Sequence, residues 1–227
     1  MKEFASDLVN LFFPLQCLGC NSPLTPHEKD ICVHCQLQLP FTYFHLDGNN
    51  PMVQKLNTLL KIEAATALCY FEKNSILERM LYQLKYSGQQ QLGAYFGSLM
   101  GELLKHIKDF QNIQAVFPVP LHSRRRRERG YNQATLFGSV IAQHLGVPFV
   151  EGLLLRTRNT KQLAKTKDDR NAVLKNAFEL NLKKNNPKHW LLVDDVITTG
   201  ATLDACGRLL LKNPGNQLSI ATIGYRI

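Results

Sequence analysis

The stretch Trp190-Leu191-Leu192-Val193-Asp194-Asp195-Val196-Ile197-Thr198-Thr199-Gly200-Ala201-Thr202 constrains this chain more than any other. Its apolar start has the length and content of a buried parallel strand, and Leu203, Cys206, Leu209 and Leu210 return at helical spacing after the turn. The pattern predicts strand, turn and helix, with two acids at the strand's carboxyl end. In an open α/β sheet ligands bind there, and a helix starting there offers unpaired N–H groups and a positive dipole end to a phosphate. Gly200 and Ala201 keep the backbone bare enough for close approach. Adjacent aspartates ending so apolar a strand are poor packing choices, which favours a sugar-phosphate grip over a fortuitous acid pair.

The rest of the chain alternates in the same way. Strands are expected at Ala67–Phe71, at Ala115–Val119, near Phe149 and over Leu218–Tyr225, and helices over Ile76–Tyr86, Leu92–Lys108 and Ala134–Leu145, the last closed by Gly146. Alternation of this kind implies a mostly parallel sheet with helices on both faces. Gly93, Gly97 and Gly101 have the spacing of a close helix contact, here within a soluble protein because polar residues flank them. Gln36–Tyr43 reads as strand-like or extended. Asp47-Gly48-Asn49-Asn50-Pro51 is the clearest early break, dividing a small module at 1–48 from a domain at 49–227.

Cys17-Leu18-Gly19-Cys20 and Cys32-Val33-His34-Cys35 form two Cys-x-x-Cys knuckles. Four thiolates satisfy Zn²⁺ fully and leave no open position, so zinc here is expected to be structural, substituting for a core in a short segment. The competing readings are disulfides and a redox pair. Cys69 and Cys206 each stand alone in an apolar pattern and read as buried hydrophobes. Phe4, Leu8, Leu11 and Phe12 predict a short amphipathic helix before the knuckles. Acids interrupt the first residues before any apolar stretch of a signal peptide forms, and no run is long enough to span a bilayer, so a cytoplasmic protein without membrane insertion is expected.

The net charge is +9, and two segments hold nearly all of it. Residues 122–133 carry Arg124, Arg125, Arg126, Arg127 and Arg129 against Glu128; residues 156–170 carry Arg156, Arg158, Lys161, Lys165, Lys167 and Arg170 against Asp168 and Asp169. Charge so confined points to an anionic ligand or partner, the alternative being two solvated loops. Pro118-Val119-Pro120-Leu121-His122-Ser123-Arg124 follows a short strand, and its prolines predict that pairing stops and a rigid loop begins.

The acid-pair turn resembles the phosphoribosyl pyrophosphate (PRPP) loop of type I phosphoribosyltransferases. That resemblance implies that Asp194 and Asp195 hold the ribose hydroxyls and shape the site for a Mg²⁺ carried by the substrate, while Thr198, Thr199, Gly200, Ala201 and Thr202 cradle the 5′-phosphate. His122, Ser123 and Arg124 would lie in the pyrophosphate loop. Together with the cysteine knuckles, Leu84-Lys85-Tyr86-Ser87-Gly88, Arg129-Gly130-Tyr131-Asn132-Gln133 and the stretch Arg156 to Phe178, these motifs resemble the ComF family of bacterial competence-associated proteins. In that stretch the resemblance implies a flexible loop, with Thr160, Gln162, Leu163, Arg170 and Asn171 in the family's places. It also implies a zinc-bearing protein on a phosphoribosyltransferase fold, linked to DNA uptake and to the proteins of the competence machinery.

Three functions stay open. An enzyme would release pyrophosphate from Mg²⁺-bound PRPP to an acceptor, chemistry that asks for charge stabilisation and positioning. A DNA-handling protein would track single-stranded phosphates with Arg125, Arg126, Arg127, Arg129, Lys161, Lys165 and Arg170, Tyr131 or Phe137 contributing a ring, although these segments hold too few aromatics for a stacking platform. A regulator would sense PRPP without turnover. PRPP and DNA would want the same arginines, so they compete or one gates the other.

Overall fold

The computed structural model describes residues 15–156, 178–180 and 188–227. The predicted N-terminal helix and the second basic segment beyond Arg156, with Lys161, Lys165 and Arg170, lie outside them.

Among the described residues a four-stranded parallel sheet runs in the order β1 (Ala64–Phe71), β6 (Gln217–Arg226), β5 (His189–Ile197), β2 (Ala115–Pro118). A second sheet pairs β3 (Leu154–Arg156) with β4 (Phe178–Leu180), antiparallel. The α-helices among the described residues are α1 (Val33–Leu37), α2 (Pro51–Asn57), α3 (Ile76–Tyr86), α4 (Gln91–Lys105), α5 (Ser123–Arg129), α6 (Gln133–Leu145) and α7 (Ala201–Leu211).

Successive residues of a strand face opposite sides of its sheet, and β5 builds two cores this way. Leu191 and Val193 join an apolar cluster with Leu77, Met80 and Leu84 of α3, Phe96 and Met100 of α4 and Phe137 and Ile141 of α6. Trp190 and Leu192 join another with Met52 and Leu56 of α2 and Leu203, Cys206 and Leu210 of α7. Helices therefore cover both faces, and both faces of β5 are buried, as a near-continuous apolar run predicts.

The glycines of α4 meet α6. A Cβ on Gly97 would stand 2.7 Å from the Phe137 carbonyl oxygen, and one on Gly101 would stand 2.8 Å from the His144 ring. The helices approach this closely only because both side chains are missing.

Several expectations change. β5 extends through the acid pair to Ile197, because β6 stays paired with it as far as Ile197↔Tyr225. The arginine run is helical rather than a loop: arginine is a good helix former, His122 Nδ1 accepts the Arg124 N–H at 3.2 Å, and Gly130, at φ 82°, ends the helix in the left-handed region. Gln36 and Leu37 belong to α1 rather than to a strand, and extended backbone survives as a bridge between Phe41 and Cys69. α4 stops at Lys105, followed by a 3-10 turn over Lys108–Phe110. The strand near Phe149 is an isolated parallel bridge to Val116.

The early break at 47–51 is a helix start. Asn50, 2% exposed, caps α2 by accepting the N–H groups of Met52 and Val53, while its amide donates to Phe44, Asp47 and Ala65 carbonyls at 2.8–3.0 Å.

Candidate sugar-phosphate and metal sites

β2 stops at Pro118 opposite Val193, and β5 continues past it. Asp194 and Asp195 therefore stand at a step in the sheet, one on each face. Each carboxylate accepts the next residue's N–H at 2.8 Å. On the α3 face Lys85 Nζ meets Asp195 Oδ2 at 2.5 Å. Arg156, at the end of β3, lines the same pocket as Asp194 and feels its charge.

These surroundings set the acids apart. Burial, then the charge of Asp195, pushes the Asp194 carboxyl well above the usual carboxylate range. Burial also pushes Asp195 up, but the Lys85 ammonium and the hydrogen bonds to Asp195 outweigh it and hold this carboxyl below its ordinary value. Two adjacent carboxylates cannot both ionise cheaply in a buried site, and the lysine decides which one does.

A cavity of about 220 Å³ opens over the pair, lined among others by Lys85, Arg125, Arg129, Arg156 and Thr202. The backbone from Ile197 to Leu203 wraps a smaller hollow beside Asp194, of about 40 Å³. Gly200 caps α7 in the left-handed region at φ 81° and supplies no side chain to the first amides of the helix. Those N–H groups and the dipole behind them suit an anion. Thr198 and Thr199 are exposed at the turn, and Lys55 Nζ donates to the Thr198 carbonyl at 3.0 Å, tying the loop to α2.

The fold thus brings the first basic segment to the acid pair through Arg125 and Arg129, and the second through Arg156. Arg124 turns along its own helix to Glu128 at 2.8 Å and Arg126 reaches Glu151 at 3.5 Å. Arg127 and Ser123 are exposed. His122 is occupied as a cap; burial, then the charges of Arg156 and the neighbouring arginines, lowers its pKa. Sequence reading missed Lys85 as a partner of Asp195, because 110 positions separate them. It also missed Asn132, whose amide donates to the Val119 carbonyl at 2.9 Å and whose oxygen caps α6, fixing the proline loop against that helix.

The four knuckle cysteines converge, all their Sγ atoms within 4.8 Å of one another. Thiolates around one tetrahedral zinc, at about 2.3 Å, stand about 3.8 Å apart; Cys20 Sγ and Cys32 Sγ are 3.8 Å apart. Gly19 and Cys32 N–H groups point at Cys17 Sγ at 3.3 and 3.2 Å, the kind of donor that steadies a thiolate. Burial and the neighbouring sulfurs push the Cys35 thiol up, while hydrogen bonds from Ser22 bring Cys20 down to about 6. So crowded a thiol set fits a metal ion. Glu28 holds the loop between the knuckles, accepting from Thr25 N–H at 2.8 Å and Val33 N–H at 2.7 Å. Cys69 and Cys206 are buried in the core.

Among the described residues no helix is long and apolar enough to cross a membrane. No family model matches the chain. In structure it is similar to adenine phosphoribosyltransferase from Leishmania tarentolae, at a TM-score of 0.37 and 15% identity over 62% of this chain and 73% of that one. The Leishmania donovani enzyme gives 0.38 and 13% over 79% and 81%. Likenesses this low do not bear on function. In sequence it is 29% identical to competence protein ComFC of Bacillus subtilis over 91% of this chain and 81% of that protein. It is 30% identical to the DNA utilization protein YhgH of Escherichia coli K12 over 87% and 84%. With competence protein F of Haemophilus influenzae it shares 31% identity, covering 88% of this chain and 93% of that protein, and it belongs to the ComF family.

Proposed function

We propose that this chain binds PRPP with Mg²⁺ at the β5–α7 junction and handles single-stranded DNA in the cytoplasm during its uptake in competence. The observation that carries the reading is the step in the sheet, where a lysine-bound carboxylate and its neighbour sit beside the glycine-capped head of α7. Asp194 and Asp195 would hold the ribose hydroxyls, and Thr198, Thr199, Gly200, Ala201 and Thr202 would hold the 5′-phosphate. Asp194 and Asp195 would also shape the site for a Mg²⁺ carried by PRPP, which would supply charge neutralisation to the pyrophosphate. His122, Ser123 and Arg124 would lie along the pyrophosphate side, Arg125 and Arg129 reaching in from α5. The names of the relatives, competence protein and DNA utilization protein, support the DNA role.

The same proposal gives the four cysteines one structural Zn²⁺, held by Cys17, Cys20, Cys32 and Cys35 within a module at 1–48 that precedes the 49–227 domain. A second reading, transfer of the phosphoribosyl group, is favoured by one feature: a further cavity of about 360 Å³ beside the acid pocket leaves space for an acceptor. Pyrophosphate release with a panel of acceptors tests it, and a negative panel counts against it.

Titration calorimetry with PRPP and Mg²⁺ tests the main reading. A hydrogen bond to a charged group contributes about 1.5–3 kcal/mol and one to a neutral group about 0.5–1.5 kcal/mol, so Asp194→Asn/Asp195→Asn is expected to weaken binding by about 30-fold or more. Asp194→Asn alone gives a stability control. Its folded pKa is raised, so the wild-type residue costs stability as pH rises above its unfolded value, near 3.9. The single substitution is therefore expected to raise the melting temperature at pH 7 and to lose that advantage toward pH 4. Unchanged PRPP binding by a folded double variant would overturn the site.

A further inference from the structure

The rings that the basic segments offered for nucleic acid are used elsewhere. Phe137 of α6 is fully buried in the apolar core, and the half-buried Tyr131 donates its hydroxyl to the Leu84 carbonyl. Two rings of α3 are exposed instead. Tyr82 and Tyr86 stand one helical turn apart on α3, 60% and 68% exposed, with centroids 5.0 Å apart. A lone exposed tyrosine needs no explanation. A pair held ring to ring, with the Arg129 guanidinium 5.3 Å from the Tyr86 centroid, is a continuous aromatic and cationic surface.

Its position matters more than its composition. On one side lies the 360 Å³ cavity lined by Lys85, Tyr86, Arg125 and Arg129, and these same four residues line the pocket over the acid pair. On the other side lies a groove of about 410 Å³, between Tyr82 and the Gly19-Cys20-Asn21 corner of the first cysteine knuckle. The two rings form the ridge between a groove walled by the metal-binding module and a cationic passage to the sugar-phosphate pocket. Glu128, the acid on the cationic side, is already paired with Arg124.

We propose that Tyr82 and Tyr86 are a two-ring stacking platform for the bases of single-stranded DNA, with Arg125 and Arg129 taking backbone phosphates beside it. The inference rests on the DNA-handling reading above and names the surface that does it. Single strands expose both a π-face and a phosphate at every nucleotide, which matches rings and guanidinium groups in alternation. A duplex hides its base faces. The ridge also gives the knuckle a purpose beyond folding, as the far wall of the strand's path.

The test is fluorescence anisotropy of a labelled oligothymidylate with the metal-loaded protein, across a salt series. Tyr82→Leu and Tyr86→Leu keep apolar area without a π-face, and each is expected to weaken binding about tenfold, within the range of one base–aromatic stack. Tyr→Phe at either position retains affinity. Tyrosines release no counterions, so the leucine variants keep the salt slope, whereas Arg125→Gln and Arg129→Gln each flatten it by about 0.7. An abasic strand of the same length separates the terms: wild type binds it more weakly, and the leucine substitutions cost nothing further. Leucine variants that bind oligothymidylate like wild type, or that lose equally on the abasic strand, would overturn the platform while flattened arginine slopes keep the DNA reading. Absence of binding by wild type at low salt would overturn both.

Discussion

α5 and α6 are consecutive helices separated by Gly130, Tyr131 and Asn132, and they are built on opposite terms. α6 buries Ala134, Phe137, Gly138, Ile141 and Ala142 and takes the glycine face of α4 against its backbone. α5 buries nothing: a histidine cap, a left-handed glycine and ion pairs with Glu128 and Glu151 hold it. One helix keeps the sheet together. The other holds positive charge at a fixed distance from the acid pair, and a helix does this better than a loop because its spacing keeps Arg125 and Arg129 on one side.

The face that α6 covers also contains Cys17, Cys32 and Cys35, so metal removal is the severest test of it. Structural zinc contributes of order 10–16 kcal/mol of apparent folding energy. Chelation is expected to lower the melting temperature more than any single substitution, in calorimetry with and without a strong chelator. A melting curve indifferent to the chelator, with no zinc found by metal analysis, would remove the metal from the cysteines.

Within the same face Phe137→Ala should cost about 3–5 kcal/mol, the range for a buried phenylalanine. Urea unfolding measures it, and a loss under about 1 kcal/mol would mean that α6 is not the anchor described. Arg125→Gln/Arg127→Gln on α5 gives the smallest stability change, within about 0.5 kcal/mol, because neither side chain supports a core. A large destabilisation by this pair would erase the contrast between the helices.

Much of the fold was legible because it is written locally. α3 runs over Ile76–Tyr86 as its apolar spacing predicts, α6 ends at the predicted Gly146, and Leu191 to Val193 lie in a buried strand. The cysteine knuckles were legible for the same reason, since their spacing is itself the geometry of a metal site. The arginine run was misread as a loop because charge density says where a segment lies but not its backbone conformation. Candidate stacking rings were sought beside the arginines, yet the exposed pair Tyr82 and Tyr86 belongs to α3 and approaches Arg129 only in three dimensions.

The amino-acid order by itself determined the alternating α/β plan, the acid pair before a small, hydroxyl-rich turn, and two cysteine knuckles, because each depends on residues within a few positions of one another. The tertiary structure alone decided that Lys85 would sit on Asp195 and leave Asp194 toward its neutral form, that Arg125, Arg129 and Arg156 would share one pocket, and that Tyr82 and Tyr86 would stand between that pocket and the knuckle. These are contacts between distant segments, fixed by where β2 ends beside β5 and by how α3 packs on the sheet. Neither leaves a mark in local sequence, since the same side chains would satisfy the same helices whichever partner they met.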